Sequence, residues 1–238
     1  MKHGGVLPDL LLIPGLLCDE RLWAAQTEAL AGSAHGQTSD LTAHESIAAM
    51  AEAVLSQAPV RFAMAGFSMG GCIALEVVAR APGRVCRLAL LSTSAHGLLP
   101  PVRRQLRDSI SGIEAGGFDA YLADAFPRYV APERIHDQAL WEAFAAMGKS
   151  LGPAVAVRQI RALLEYPGFC GDLGRIDCPT VVICGREDRR TPVAAHEELA
   201  TLIPGAKIRV IERAGHFTPL EEPKAVTEAL RGWLQVPV

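Results

Sequence analysis

The sequence predicts an α/β fold: a mostly parallel central sheet flanked by helices, with a helical cap insertion. Three observations carry this reading. Short continuous apolar runs alternate with longer stretches of helical periodicity, the pattern of a sheet covered on both faces. A Gly66-Phe67-Ser68-Met69-Gly70 pentapeptide joins one of those runs to a helical stretch. Residues 97–176, about 80 in all, hold helical patterns and no strand.

Residues 10–13 are a continuous apolar run, as in a strand buried on both faces, and Pro14-Gly15 ends it. The stretch 46–56 places Ile47, Met50, Ala51, Val54 and Leu55 at helical spacing, with Ser46 as N-cap and Pro59 at the exit. The run 60–65 then supplies the strand before the pentapeptide, and 71–81 the helix after it. Further strands are expected at 86–91, 180–184 and 207–211, the last with alternation. Helices 193–202, with Pro192 at a first helical position, and 223–234 complete the pattern. Strands separated by helices pair in parallel.

Within 97–176 the segments 102–113, 118–125, 138–147 and 154–164 read as helices joined by Gly and Pro. An insertion at the carboxyl end of a strand overlies the edge where open α/β sheets bind ligands. It is therefore read as a cap. The expected division is a core of 1–96 and 177–238 with a cap of 97–176, moving as one unit or hinged near 97–101 and 171–179.

The 238 residues are enough to bury a sizeable core. With 23 basic and 26 acidic residues the net charge is −3, which makes no electrostatic case for nucleic acid or an anionic membrane. The expected partner is a small-molecule substrate, and nothing in the sequence opposes a homodimer. No apolar run approaches the ~18 residues of a spanning helix, and 10–13 is shorter than the ~7 of a signal peptide, so a cytoplasmic location is expected. The six cysteines, Cys18, Cys72, Cys86, Cys170, Cys178 and Cys184, form no C-x-x-C pair and suggest neither a zinc site nor a disulfide framework. Cys18 and Cys72 are expected near the candidate site and read as small apolar fillers.

A serine on a sharp strand-to-helix turn presents its hydroxyl above the sheet edge, which makes Ser68 a candidate nucleophile. Its hydroxyl is weak until a base removes the proton, so a histidine and an acid are required downstream. Asp188 follows the 180–184 strand, with Glu187, Asp172 and Asp177 as rivals. His216 follows the 207–211 strand in a Gly215-His216-Phe217 setting. His3, His35, His44 and His136 read as solvated, whereas His96 stands at the entrance to the cap.

With Leu11-Leu12-Ile13-Pro14-Gly15-Leu16-Leu17 ahead of it, the order serine, acid, histidine resembles the α/β-hydrolase superfamily over essentially the whole chain, in particular its capped esterase-like members. The resemblance implies that Ser68 attacks a carbonyl carbon. His216 would move the proton, and Asp188 would orient the histidine. Backbone N–H groups of Leu16 and Met69 would hold the oxyanion, and no metal or cofactor is called for. Two departures stand out. Pro14-Gly15 replaces a common His-Gly, and only about nine residues precede the first strand, so the sheet is expected to lack one or two edge strands.

The expected activity is cleavage of a small carboxylic ester, lactone or thioester through an acyl-enzyme. The alternatives are C–C bond hydrolysis, cofactor-free perhydrolase or lyase chemistry, and a binding protein with a silent triad. Leu17, Phe67, His96, Trp141 and Phe217 are the expected pocket residues. Tyr121, Phe126 and Tyr129, like the face formed by Trp141, Phe144 and Met147, also suit packing within the cap. Arg103, Arg104, Arg107, Arg158 and Arg161 suit a solvated surface, while a basic wall from Arg103, Arg128 or Arg158 would point to a carboxylated substrate.

Overall fold

The computed structural model describes residues 7–169 and 171–238; His3 and Cys170 lie outside them. Among the described residues there are six strands: β1 (Asp9–Ile13), β2 (His35–Thr38), β3 (Phe62–Phe67), β4 (Val85–Leu91), β5 (Thr180–Gly185) and β6 (Lys207–Ile211). They form one all-parallel sheet in the order β2-β1-β3-β4-β5-β6. The helices are α1 (Ala24–Leu30), α2 (Ile47–Gln57), α3 (Met69–Arg80), α4 (Pro100–Glu114), α5 (Phe118–Tyr129), α6 (Gln138–Glu165), α7 (Val193–Leu202), α8 (Thr218–Glu221) and α9 (Pro223–Leu234).

Strand alternation explains why the apolar runs are continuous. Leu10 and Leu12 of β1 join a buried cluster with α1, α9 and the inserted helices, while Leu11 and Ile13 join a second cluster with α2, α3 and α7. Every residue of β3 and β5 is buried. The ends of α2 are both satisfied: Ser46 Oγ accepts the Ala49 N–H at 3.1 Å, and Arg84 donates to the carbonyls of Leu55, Ala58 and Pro59 at 3.1, 2.8 and 2.8 Å. The Arg84 guanidinium also lies over the Phe62 ring at 5.7 Å.

The helical insertion α4–α6 enters after β4 and returns before β5. Leu106, Ile113, Leu122, Phe126, Phe144 and Ile160 belong to the same buried cluster as Leu10 and Phe67, so the insertion packs onto the sheet's own core. Its entry and exit meet in an antiparallel bridge between His96 and Gly168, reinforced by Phe169 N–H donating to Ala95 at 2.7 Å.

The structure departs from the sequence expectations at three places. The edge strand β2 reads His35-Gly36-Gln37-Thr38, without an apolar residue, because it pairs on one side only and is largely exposed. The short α1 escapes the periodicity test because Leu22 and Trp23, which anchor this region, sit in the 3-10 turn before it. Two helices expected at 138–147 and 154–164 are one long element broken at Gly152, whose φ of 82° precedes Pro153.

The turn from β3 into α3 passes very close to the end of β1. A Cβ placed on Gly70 would lie 2.2 Å from the Ile13 carbonyl oxygen and 2.6 Å from that of Pro14, and backbone atoms have no flexible end that can yield. Gly70→Ala is therefore expected to destabilise the protein by about 1–3 kcal/mol or more. Urea unfolding measures this, and an unchanged midpoint would refute the close approach.

Candidate active site

Ser68 lies between β3 and α3 with φ 53° and ψ −115°, a conformation that non-glycine residues rarely adopt. Neighbouring contacts hold it there. Its N–H donates to Leu91 at 2.8 Å, and its carbonyl accepts from the Gly71 N–H and the Thr93 hydroxyl, both at 2.9 Å. The bend leaves the Ser68 side chain half-buried at the carboxyl edge of the sheet.

Two loops at that edge bring Asp188 and His216 to the serine. They run so close that a Cβ on Gly185 would lie 2.1 Å from the Gly215 carbonyl oxygen, so only glycine fits where they cross. His216 Nε2 is 2.9 Å from Ser68 Oγ, and its Nδ1 is 2.9 Å from Asp188 Oδ2. Both side chains are almost wholly buried. Burial pushes the Asp188 carboxyl up, but the adjoining His216 and hydrogen bonds from His216 and Thr191 outweigh it and hold it below its ordinary value. Those bonds include Thr191 Oγ1–H to Oδ2 at 2.7 Å, with the Arg190 and Thr191 amides on Oδ1 at 2.8 and 2.9 Å. The rival Glu187 is exposed on the same loop.

The turn after β1 carries Leu16 and Leu17. Leu17 has a φ of 54°, and its N–H donates to Oε1 of the buried Gln159 on α6 at 2.8 Å. Met69 opens α3, so its amide belongs to the first turn and has no acceptor within the helix. Leu16 and Met69 both line the same cavity as Ser68 and His216.

That cavity has a volume of about 260 Å³. Of the residues expected in the pocket, Leu17, Phe67, His96 and Phe217 line it. Trp141 is a correction: it packs behind the wall against Phe126 and Phe144, with ring centroids 5.5 and 6.2 Å away, and Phe144 reaches the cavity in its place. Tyr121 and Tyr129 also line it, so these two cap tyrosines do more than fill the cap. The His96 ring is taken up by Glu198 at 2.9 Å and is largely exposed. Arg103, Arg128 and Arg158 build no basic wall, because they are directed to the Leu164 carbonyl, Asp124 and the Thr42 carbonyl. The cation that does line the cavity is Arg190.

Several residues here escaped the sequence reading. Glu221 binds the N–H groups of Ala131 and Gly215 at 2.7 and 2.9 Å, fastening the end of α5 to the His216 loop. Burial raises its pKa, and the amides of Ala131, Gly215 and Phe217 offset only part of that. The buried His196 accepts the Thr93 N–H at 3.0 Å, and its Nδ1 lies 3.1 Å from the Pro192 carbonyl. Burial lowers its pKa, which suits a neutral ring bridging two loops. None of these residues has a spacing signal; each is recognisable only from its partners in space. Cys72 touches the cavity, but burial raises its pKa to about 11, which keeps it a thiol. Among the described residues, no three His, Cys, Asp or Glu side chains converge as a metal site, and no helix is long and apolar enough to cross a membrane.

The sheet, the strand-turn-helix serine and its two partner loops define a hydrolase of the α/β type. The chain belongs to the alpha/beta hydrolase family, whose model matches residues 6–229. It is 26% identical over 236 residues to the pimeloyl-[acyl-carrier protein] methyl ester esterase of Aromatoleum aromaticum, covering 91% of this chain and 94% of that protein. Among solved structures it is similar to a thermophilic esterase from Thermogutta terrifontis, with a TM-score of 0.85 and 26% identity over 98% of this chain and 90% of the other. The enol-lactonase of Burkholderia xenovorans LB400 shares the fold at a TM-score of 0.87 and 23% identity, covering 99% and 94% of the two chains.

Gln159→Leu is expected to leave the buried Leu17 amide unpaired and to cost about 1–3 kcal/mol, read as a lower urea midpoint. Acid titration separates two carboxyls of opposite sign. The depressed Asp188 contributes stability that is complete above its ordinary pKa of ~3.9 and is lost as pH falls through its lower folded value. The raised Glu221 contributes below its ordinary value, a contribution lost as pH rises through its folded one. Unfolding free energies measured from about pH 3 to pH 8 should therefore show a shallower acid limb for Asp188→Asn. Glu221→Gln should instead remove a decline that begins on the alkaline side of its ordinary value.

Proposed function

We propose that the protein is a serine hydrolase that cleaves a small carboxylic ester, lactone or thioester through an acyl-enzyme. The observation that carries the reading is the unbroken chain of hydrogen bonds from Ser68 Oγ through both nitrogens of His216 to Asp188. Ser68 attacks the carbonyl carbon while His216 Nε2 takes its proton. The carbonyl oxygen becomes an oxyanion held by the N–H groups of Leu16 and Met69. His216 then returns the proton to the departing alcohol or thiol, leaving the acyl group on Ser68. Water, deprotonated by His216, attacks the acyl carbon, and as the bond to Ser68 breaks His216 gives that proton to Ser68 Oγ and the acid is released. Asp188 keeps Nδ1 protonated and stabilises the cation formed at each proton transfer, and no step calls on a metal or cofactor.

The cavity's small volume and largely apolar lining favour a compact substrate. The esterase relatives favour an ester over other acyl derivatives. In this reading 1–96 and 177–238 form the catalytic core, and 97–176 is the cap that shapes the pocket.

Ser68→Ala should reduce kcat on short nitrophenyl esters by about a million-fold, as removal of a triad serine does elsewhere. A fluorophosphonate should label the wild-type chain at Ser68 and leave Ser68→Ala unlabelled. Equal labelling of both proteins would sink the assignment.

A further inference from the structure

Charge in the cavity is one-sided. Among the described residues no Asp, Glu or Lys lines it, and Arg190 is the single arginine that does. The backbone N–H of Arg190 is committed to Asp188 Oδ1 at 2.8 Å, so the residue is fixed to the same loop as the acid. Its guanidinium lies 5.1 Å over the Tyr129 ring, and the other side of that contact chain is short: the Tyr129 and His216 ring centroids are 5.5 Å apart. The cation and the imidazole thus both pack against the Tyr129 ring.

Among the described residues Arg190 has no acid beside it in an ion pair. Its side-chain hydrogen-bond acceptor is the amide of Gln105, 3.3 Å from Nη1, and no carboxylate pairs with it among the described residues. That amide, turned over, accepts from Arg128 Nε and Nη2 at 2.8 and 3.1 Å, so two guanidiniums compete for one neutral oxygen. Arg128 and Arg161 of the inserted helices, by contrast, each hold a carboxylate at 2.7 Å. A half-buried guanidinium in an apolar setting presents a planar, permanently charged fork suited to a carboxylate. Stacking on Tyr129 holds the fork in place before any ligand arrives.

We propose that Arg190 receives a carboxylate of the substrate, so that the ester cleaved at Ser68 carries a free carboxylate a few carbons from the scissile carbonyl. This rests on the serine-hydrolase reading of Ser68 and His216. The apolar wall of Leu106, Tyr121, Phe144 and Leu163 would take the carbons between the two ends.

The test compares matched esters. Monoethyl glutarate is set against ethyl pentanoate, and 4-acetoxybutanoate against butyl acetate, so that the carboxylate is tried on the acid and the alcohol side. In at least one pair the wild type should favour the anionic ester in kcat/KM by about ten- to a hundred-fold. Arg190→Met should erase most of that ratio, with Arg190→Gln as the second variant if the first does not fold. No preference in either pair, or a preference that survives loss of the arginine, overturns the proposal. Glutarate binding, measured by calorimetry on wild type and variant, is independent of turnover. If no ester is cleaved and no fluorophosphonate label appears, the hydrolase reading fails by itself. Glutarate affinity that falls at least ten-fold without Arg190 still supports the carboxylate site, and absent or unchanged binding overturns it.

Discussion

Backbone contact between the first turn of α3 and the end of β1 is the constraint on which the rest of the site is built. The missing Cβ of Gly70 lets the helix start directly against the carbonyls of Ile13 and Pro14. That approach brings the Met69 amide beside the turn that carries Leu16, and it turns the chain through Ser68 in a conformation that costs on the order of 1–3 kcal/mol. Burial on α3 opposes the cost: Met69, Ile73, Leu75 and Val77 are almost completely removed from water. The helix is thus seated by its apolar face, and the serine takes the backbone angles that remain.

The insertion contributes to the site as well as covering it. Three polar ties join it to the elements around Ser68. Gln159 of α6 holds the Leu17 amide, the Tyr129 carbonyl accepts the N–H groups of His216 and Phe217 at 2.7 and 3.2 Å, and Glu221 joins the Ala131 amide to that of Gly215. Each tie satisfies a buried backbone N–H that would otherwise carry a desolvation cost. The apolar cluster running from β1 and β3 into α4–α6 acts in the same direction.

What could be read from the sequence follows what leaves a linear trace. A strand buried on both faces writes a continuous apolar run, so β1, β3, β4 and β5 were legible. The edge strand β2, half in water, wrote none. Ser68, Asp188 and His216 were legible because each follows a recognisable strand, and the pentapeptide sets the first of them. Gln159, His196 and Glu221 sit inside helices with ordinary local sequence. Their importance comes from distant partners, Leu17, Thr93 and Ala131 respectively, which lie 142, 103 and 90 positions away in sequence. The cap side chains divide for the same reason. Phe144 and Trp141 share a helical face in sequence, and only the packing of Trp141 against Phe126 and Phe144 in space shows that Phe144 is the one that meets the cavity.

The bond from Gln159 to Leu17 has a consequence for how such a protein can change over time or in the laboratory. An insertion that merely roofed the site would be exchangeable between relatives as a cassette, each graft bringing its own specificity. Here the roof supplies an acceptor to a strained peptide in the floor, and that peptide adjoins the candidate site. A grafted insertion must therefore arrive with a matching amide oxygen at the position of Gln159, or the turn after β1 must be rewritten with it. Diversification of this chain is accordingly easier by exchanging the apolar side chains that face the cavity than by replacing its helices wholesale.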